Sequence, residues 1–525
     1  MSRVIGIDLG TTNCCVAVIE DGQVSVIPNT GGYKTTPAIL GLTEAGKRLV
    51  GHLAKRQAVT NSKNTVFAAK RLIGRSFDSP QVQQLRELVA YKILEGPGGD
   101  ARVELAGRVF TIQEIAALLL REMKRVAEEY LGERVEQAVI TVPAYFNDTQ
   151  RQTTRAAARI AGLEVLRLIN EPTAAALSYG IGRGETEKVA VYDMGGGTFD
   201  ITVLELSEGL LEVRATGGDT YLGGEDIDLA IVHHLMEAFE KSDGISLASD
   251  AMALQRLKDA AEKAKCDLSQ LQVTEINLPF ITQDGDGQPL HLLHTLTREQ
   301  IEGFAQELVE NTRGICGAVL ADAGFEPGDI DQVLLVGGQT RMPLVQEVVT
   351  DIFGRAPYRG VNPDEVVAMG AAIQGSMLAE NAEGPLLVDV TPLSLGIATF
   401  GGHFTRLIER NTTVPASARE TFTTTRNDQE SVKICVLQGE SEHADDNDLL
   451  GEFALTGVPP GPKGTPAIQV TFDIDANGIV TVSARETATD RAQSIQVSAR
   501  GVLSAEEEAK LAAEFAAEGE VALRD

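Results

Sequence analysis

Two hydrophobic rhythms run along the chain, and one of them stops. Up to about residue 380, short β-branched runs alternate with longer stretches whose apolar positions recur at helical spacing. That alternation predicts an α/β domain built on a largely parallel sheet. Helical spacing covers Ile112–Leu131, 149–162, 226–240, Ala251–Leu268 and Arg298–Ala323. Gly162 stops the second of these, because glycine accepts the left-handed turn that ends a helix. Asn170-Glu171-Pro172 opens another, with an N-cap residue followed by proline in the first turn.

After Asn381 the helical period vanishes. Gly384-Pro385-Leu386-Leu387-Val388-Asp389-Val390 follows an acidic stretch and reads as a linker too apolar to stay in water all the time. From Thr391 to about Arg500 alternation takes over: Val432, Ile434 and Val436 share one face, as do Ile468, Val470, Phe472 and Ile474. Asn477-Gly478, followed by Val480 and Val482, marks a hairpin. Ser504-Ala505-Glu506-Glu507 starts a last helix with a capping box. The expected organisation is an α/β module over 1–383, a linker over 384–390, a β module over 391–502 and a helical stub over 503–525.

A weak repeat lies inside the first module. Val4-Ile5-Gly6-Ile7-Asp8-Leu9-Gly10-Thr11-Thr12 recurs as Val189-Ala190-Val191-Tyr192-Asp193-Met194-Gly195-Gly196-Gly197-Thr198. Each is an apolar strand with an aspartate near its end, then a turn of glycine and threonine into a new strand. The spacing suggests two duplicated lobes facing each other.

Composition narrows the class. With 525 residues, about three compact units are expected. Lys+Arg 46 against Asp+Glu 75 gives 46 − 75 = −29, a charge that repels phosphate backbones and argues against nucleic acid as a partner. The apolar run 115–120 is far short of the ~18 residues of a membrane helix. Asp8 stands where a secretory leader would keep its apolar core, and five cysteines without a CxxC pair suit a reducing cytoplasm.

The chemistry gathers at the turns. Glycine lets backbone N–H groups approach an anion and threonine adds hydroxyl donors, so two such turns across a cleft suit a polyphosphate. Asp8 and Asp193 would then hold a hydrated Mg²⁺, and Asp200 could return to it through a hairpin. Val336-Gly337-Gly338-Gln339-Thr340-Arg341 is a third turn, placed for the adenosine end. One glycine turn is ordinary; three that close apolar strands are not. By contrast, Gly41-Leu42-Thr43-Glu44-Ala45-Gly46-Lys47-Arg48 only mimics a P-loop: Arg48 replaces the Mg²⁺-binding hydroxyl, and a hairpin turn over 43–46 is the better reading. His291 and His294 share helical spacing and His233-His234 are adjacent, but neither pair has a third ligand beside it in sequence, so both read as structural. Cys14-Cys15 beside the first turn reads as buried packing.

These motifs, with Val142-Pro143-Ala144-Tyr145-Phe146-Asn147-Asp148, Ile169-Asn170-Glu171-Pro172-Thr173-Ala174-Ala175-Ala176 and Val436-Leu437-Gln438-Gly439-Glu440, resemble the seventy-kilodalton heat-shock chaperone family, most closely its bacterial (DnaK-type) branch. The likeness runs from residue 3 to about 505. It implies an α/β actin-like (duplicated ribonuclease H-like) ATPase domain, then an all-β sandwich that binds peptide. By resemblance Gly10, Thr11, Thr12 and Asn13 take phosphates with Gly195, Gly196, Gly197, Gly223 and Gly224, while Lys70 reaches the γ-phosphate. Asp8, Asp193 and Asp200 place Mg²⁺ and the attacking water, supported by Glu171 and Thr198. Glu262, Lys265 and Ser269, on one helix face, hold ribose and adenine with Gly337, Gly338, Arg341 and Asp364. Cys266 stands where many non-bacterial members carry a base-stacking arginine.

In the β module the resemblance gives Ile397, Phe422, Val432 and Ile434 to a pocket for an extended apolar peptide. Phe400 and Thr425 take the place of the arch, where bacterial members carry methionine and alanine. Pro143, Arg151, Arg167, Leu386, Leu387 and Asp389 match the route between nucleotide and peptide. Pro385 stands where the family has an aliphatic residue, and a proline lacks the N–H a docking strand could use. The chain ends at Asp525 within the first lid helix, which implies a truncated lid and fast peptide release. Implied partners are unfolded or extended apolar polypeptides, a J-domain co-chaperone near Arg167 and Asp389, and a nucleotide-exchange factor. The competing readings are a lidless ATP-sensing adaptor for one partner, a small-molecule kinase, and an actin-like filament former; the appended β module argues against the last two.

Overall fold

A computed structural model describes residues 3–180, 186–380, 384–489, 492–496 and 503–522. The expected module boundaries at 383 and 502 lie outside the described residues. Two mixed sheets carry the α/β module. In the first, neighbouring strands run Glu164–Asn170, Gln137–Val142, Val4–Leu9, Asn13–Glu20 and Gln23–Val26. In the second the corresponding order is Gln332–Val336, Glu187–Met194, Phe199–Ser207 and Leu210–Asp219. The repeat seen in sequence is therefore a repeat of topology. In each lobe the aspartate-bearing strand pairs in parallel with a later strand and antiparallel with the next one. The expectation of a largely parallel sheet is thus corrected. A turn as short as Gly10–Thr12 can only join antiparallel neighbours, whereas parallel pairing requires a crossover.

Helices formed where the apolar period placed them. Ile112–Leu131, Ala251–Leu268 and Arg298–Ala323 match their expected bounds, and the other two shift slightly, to Asp148–Ile160 and Gly224–Asp243. Capping boxes from Thr111, Asn147 and Thr297 satisfy the first N–H groups of three of them. The 43–46 segment is a hairpin turn, with Gly46 in the left-handed region.

Glu171–Gly180 and Val366–Glu380 lie between the two sheets, in a cluster that takes Val4 and Val139 from one lobe and Val189 and Val191 from the other. Val366–Glu380 is apolar almost all round, as a helix buried on every side must be. Their crossing is close: a Cβ at Gly370 would sit 1.8 Å from the Ala174 carbonyl oxygen. Gly370→Ala should therefore cost about 1–3 kcal/mol or more, the usual range for overpacking against backbone. A thermal melt of the variant checks it, and an unchanged midpoint would mean that the crossing is looser than the structure shows.

The linker is a strand. Leu386–Val390 continues the second sheet, parallel to Leu210–Asp219, and pairs on its other side with Thr413–Val414. Pairing begins with the Leu386 N–H on the Gly209 carbonyl, so the N–H that Pro385 lacks lies outside the ladder. Beyond it, two four-stranded antiparallel sheets close a sandwich around Leu395, Val436, Val470 and Phe472. The sandwich is docked on the α/β module. Asp148 accepts from the Val480 N–H (2.8 Å), the Asp148 N–H donates to Gln438 (3.0 Å), and Arg410 pairs with Asp322 (2.8 Å). The last helix, Ala505–Ala522, begins on its expected Ser504–Glu507 capping pair and buries Phe515 in the first lobe's core.

Candidate functional site

A cleft of about 330 Å³ opens where the ends of the two aspartate-bearing strands meet. Its walls include Asp8, Gly10, Thr11, Thr12 and Asn13 from the first repeat and Asp193, Gly195, Gly196 and Thr198 from the second. The two turns touch: a Cβ at Gly196 would lie 1.9 Å from Thr12 Oγ1, so only glycine fits there. The third turn closes on the same point, because Gly337 (φ +80°) would place a Cβ 2.8 Å from Asp193 Oδ1. Gly224 joins through its N–H, which donates to the Gly195 carbonyl (2.9 Å).

Lys70 enters from a one-turn helix, Ala69–Leu72, preceded by Ala68 in the left-handed region. Its Nζ lies 2.7 Å from Glu171 Oε1, and both side chains are less than a tenth exposed. Glu171 is the first residue of the helix between the sheets, so its carboxylate is fixed by the packing that joins the lobes.

Negative charge is in surplus. Burial, and then Glu171, push Asp8 and Asp200 up to about 7 and Asp193 well above the usual carboxylate range. Burial alone would lower Lys70, but Glu171 and Asp8 outweigh it and the net shift is upward. Among the described residues, three buried carboxylates (Glu171, Asp193 and Asp200) and the half-buried Asp8 thus share the Lys70 ammonium, an arrangement that asks for a further cation. Asp200 Oδ1 accepts from the Tyr145 N–H (3.0 Å), while its buried Oδ2 has no hydrogen-bond partner. Among the described residues, no three His, Cys, Asp or Glu side chains converge closely enough to hold an ion directly. Carboxylates arranged in this way fit an ion held through its water shell, which is how Mg²⁺ is usually carried.

Glu262, Lys265, Gly338, Arg341 and Asp364 line the far wall. Lys265 Nζ pairs with Asp228 (2.9 Å), and Arg341 pairs with Asp364 (2.5 Å). Gly197, Gly223 and Asp200 sit just behind the lining, while Ser269 turns its hydroxyl back to the Lys265 carbonyl (3.1 Å). Sequence reasoning passed over Lys55, Asp228 and Lys258, which also line the cleft. Lys258 was findable, since it precedes Glu262 by one helical turn on the same face. Lys55 was not: it meets Glu262 (2.9 Å) from a helix about two hundred residues away in sequence. Cys15 and Cys266 also line the cleft, and burial, then Asp8, hold the neighbouring Cys14 thiol up at about 12.

The other expected residues form two further groups. Arg151 is buried, donating to the Ala144 and Phe146 carbonyls, to Asn170 Oδ1 and to the Asn477 carbonyl of the sandwich. Pro143 opens the turn on which these carbonyls stand, its carbonyl accepting from the Phe146 N–H. Arg167, Leu387 and Asp389 share a small cavity at the same junction, while Leu386 is 65% exposed. In the sandwich, Ile397 and Ile434 are core residues with Phe422 and Val432 packed half-buried against them; Phe400 (83% exposed) and Thr425 lie at the surface.

Paired strand-and-turn lobes, a carboxylate-rich cleft and a strand that leads from it to a β-sandwich run through nearly the whole chain, and so does the likeness to known proteins: a family model described as Hsp70 protein matches residues 4–522, and the chain belongs to that family.

Proposed function

We propose that this protein hydrolyses ATP in the inter-lobe cleft of an actin-like domain and uses the cycle to bind and release extended apolar segments of unfolded polypeptides. Members of the Hsp70 family are ATP-dependent chaperones that use a divalent metal, usually Mg²⁺. The observation that carries the finer reading is one helix turn: Glu171 reaches into the cleft to Lys70, and Thr173, two residues on, donates to Asp389 of the linker strand (2.8 Å).

Phosphoryl transfer needs positioning and charge neutralisation more than covalent chemistry. In this reading the N–H groups and hydroxyls of Thr11, Thr12, Asn13, Gly195, Gly196 and Gly197 cradle the phosphates. Lys70 lies against the γ-phosphate and offsets the charge that develops there. Glu171 and Thr198 orient the attacking water, and Glu171 accepts part of its proton's charge. Asp8, Asp193 and Asp200 would hold Mg²⁺ through water, and the ion would supply electrostatic stabilisation of the phosphate oxygens. Gly223, Gly224, Glu262, Lys265, Ser269, Gly337, Gly338, Arg341 and Asp364 serve the nucleoside end.

The peptide site is read at Ile397, Phe400, Phe422, Thr425, Val432 and Ile434, with backbone pairing to an extended chain. Pro143, Arg151, Arg167, Leu386, Leu387 and Asp389 form the coupling route. A J-domain co-chaperone acting near Arg167 and Asp389, and a nucleotide-exchange factor, complete the cycle. Among the described residues no helix is long and apolar enough to cross a membrane. All five cysteines are unpaired, which supports a cytoplasmic setting.

The test is the dissociation rate of a fluorescent, leucine-rich peptide in ADP·Mg²⁺ and then in ATP·Mg²⁺. Release should be at least about tenfold faster in ATP, which corresponds to a coupling of ~1.4 kcal/mol. Binding with equal rates would remove the coupling, and no binding at all would remove the peptide site.

A further inference from the structure

Two histidines that look unrelated in sequence meet in the second lobe. His234 lies on the helix Gly224–Asp243 and His294 on the strand Pro289–Thr297, and their Nε2 atoms are 3.1 Å apart. The helical spacing of His291 and His294 is not used, because that segment is a strand. There His291 accepts from the Phe280 N–H (3.0 Å) and is occupied. His233, next to His234, is exposed.

We propose that His234 and His294 form a two-imidazole site for a divalent transition-metal ion, of the Ni²⁺, Cu²⁺ or Zn²⁺ class. The geometry carries this. Two nitrogens 3.1 Å apart, each about 2.0–2.1 Å from a metal, subtend roughly 95–102° at it, between octahedral and tetrahedral values. The rings meet edge to face, inclined at 70° with centroids 5.1 Å apart, so they do not stack and both Nε2 edges stay at the contact. The ring of Phe304 lies against His234 (5.0 Å between centroids) and limits how far that imidazole can swing. Without metal, one Nε2–H donates to the other ring. With metal, both rings carry their proton on Nδ1 and present lone pairs at Nε2. Among the described residues no third protein ligand joins them, so water completes the coordination. An all-imidazole protein donor set selects borderline ions over Mg²⁺ or Ca²⁺. A bound ion would brace the helix whose N-terminal end forms part of the cleft wall, through Gly224 and Asp228, against the neighbouring hairpin.

Ni²⁺ is the probe, because Cu²⁺ would oxidise the free thiols. Titration of the full chain by calorimetry, with Mg²⁺ present, should show one saturable equivalent, and Ni²⁺ should raise the melting temperature. His234→Ala and His294→Gln should each weaken binding at least tenfold and abolish the melting shift, whereas His233→Ala and His291→Ala should keep both. His294→Gln keeps a polar side chain on the strand, and its melt without metal reports whether the fold is intact. Equal binding in all four variants, or no saturable binding in the parent chain, would overturn the site.

Discussion

Replacing Lys70 by alanine should lower single-turnover ATP hydrolysis by roughly 100- to 1000-fold, the loss expected when one preorganised charge-stabilising group is removed from an active site. ATP binding should survive. The separation follows from where the residue sits. Lys70 is buried and bonded to Glu171, and among the described residues it is the ammonium that faces Asp8, Glu171, Asp193 and Asp200 at the end of the cleft where the two glycine turns meet. The glycine turns and the far wall, which the proposed reading gives the binding contacts, are separate elements. Breaking one side of a buried ion pair costs about 3–5 kcal/mol, because the remaining charge is left uncompensated. A melt must therefore accompany the kinetics. Lys70→Arg does not rescue, since a planar guanidinium cannot present the same compact charge in a pocket shaped around Nζ. If a folded Lys70→Ala chain that binds ATP hydrolyses it within tenfold of the parent rate, Lys70 is structural and the assignment falls.

Much of this cleft is legible in the sequence. A strand that ends in aspartate and turns through glycine and threonine is a local signal, and it occurs twice, so Asp8, Asp193 and both turns could be named from the pattern alone. Helices with sustained apolar period, such as Ile112–Leu131, were equally legible because caps and period agree. What stayed hidden depends on the approach of distant segments. The pairing of Lys55 with Glu262 and of His234 with His294 leaves no trace in local spacing. Sheet direction was misread for a related reason: apolar runs report burial, while only the length of the connection reports whether neighbours run parallel. The roles of Lys70 and Glu171 came from resemblance. By residue chemistry alone, a lysine in Ala69-Lys70-Arg71-Leu72 reads as solvated, and only the fold shows it buried against a carboxylate.

The linker strand invites the second large effect. Thr173→Ala should shrink the ATP-driven acceleration of peptide release by about tenfold or more while leaving basal hydrolysis within a few-fold. Thr173 Oγ1 donates to Asp389 Oδ2 at 2.8 Å, with both residues buried. A hydrogen bond to a charged group is worth about 1.5–3 kcal/mol. At ~1.4 kcal/mol per factor of ten, its loss shifts the docking of the linker by one to two orders of magnitude. Hydrolysis is spared because Glu171, on the same helix turn, keeps its own bond to Lys70. The route is physical, since the turn 171–173 cannot move at one end and stay still at the other. Arg151 ties the residue before it, Asn170, to the sandwich through Asn477. Asp389→Asn is the companion variant: it keeps the size at 389 and one acceptor oxygen for the Val390 N–H, but removes the charge and replaces the other oxygen by an NH2 that can only donate to Thr173 Oγ1, and it should fall between the parent and Thr173→Ala. Stopped-flow release of a labelled peptide on mixing with ATP decides the matter. Full acceleration in both variants would mean that nucleotide state reaches the sandwich by the Asp148 and Arg410 contacts instead.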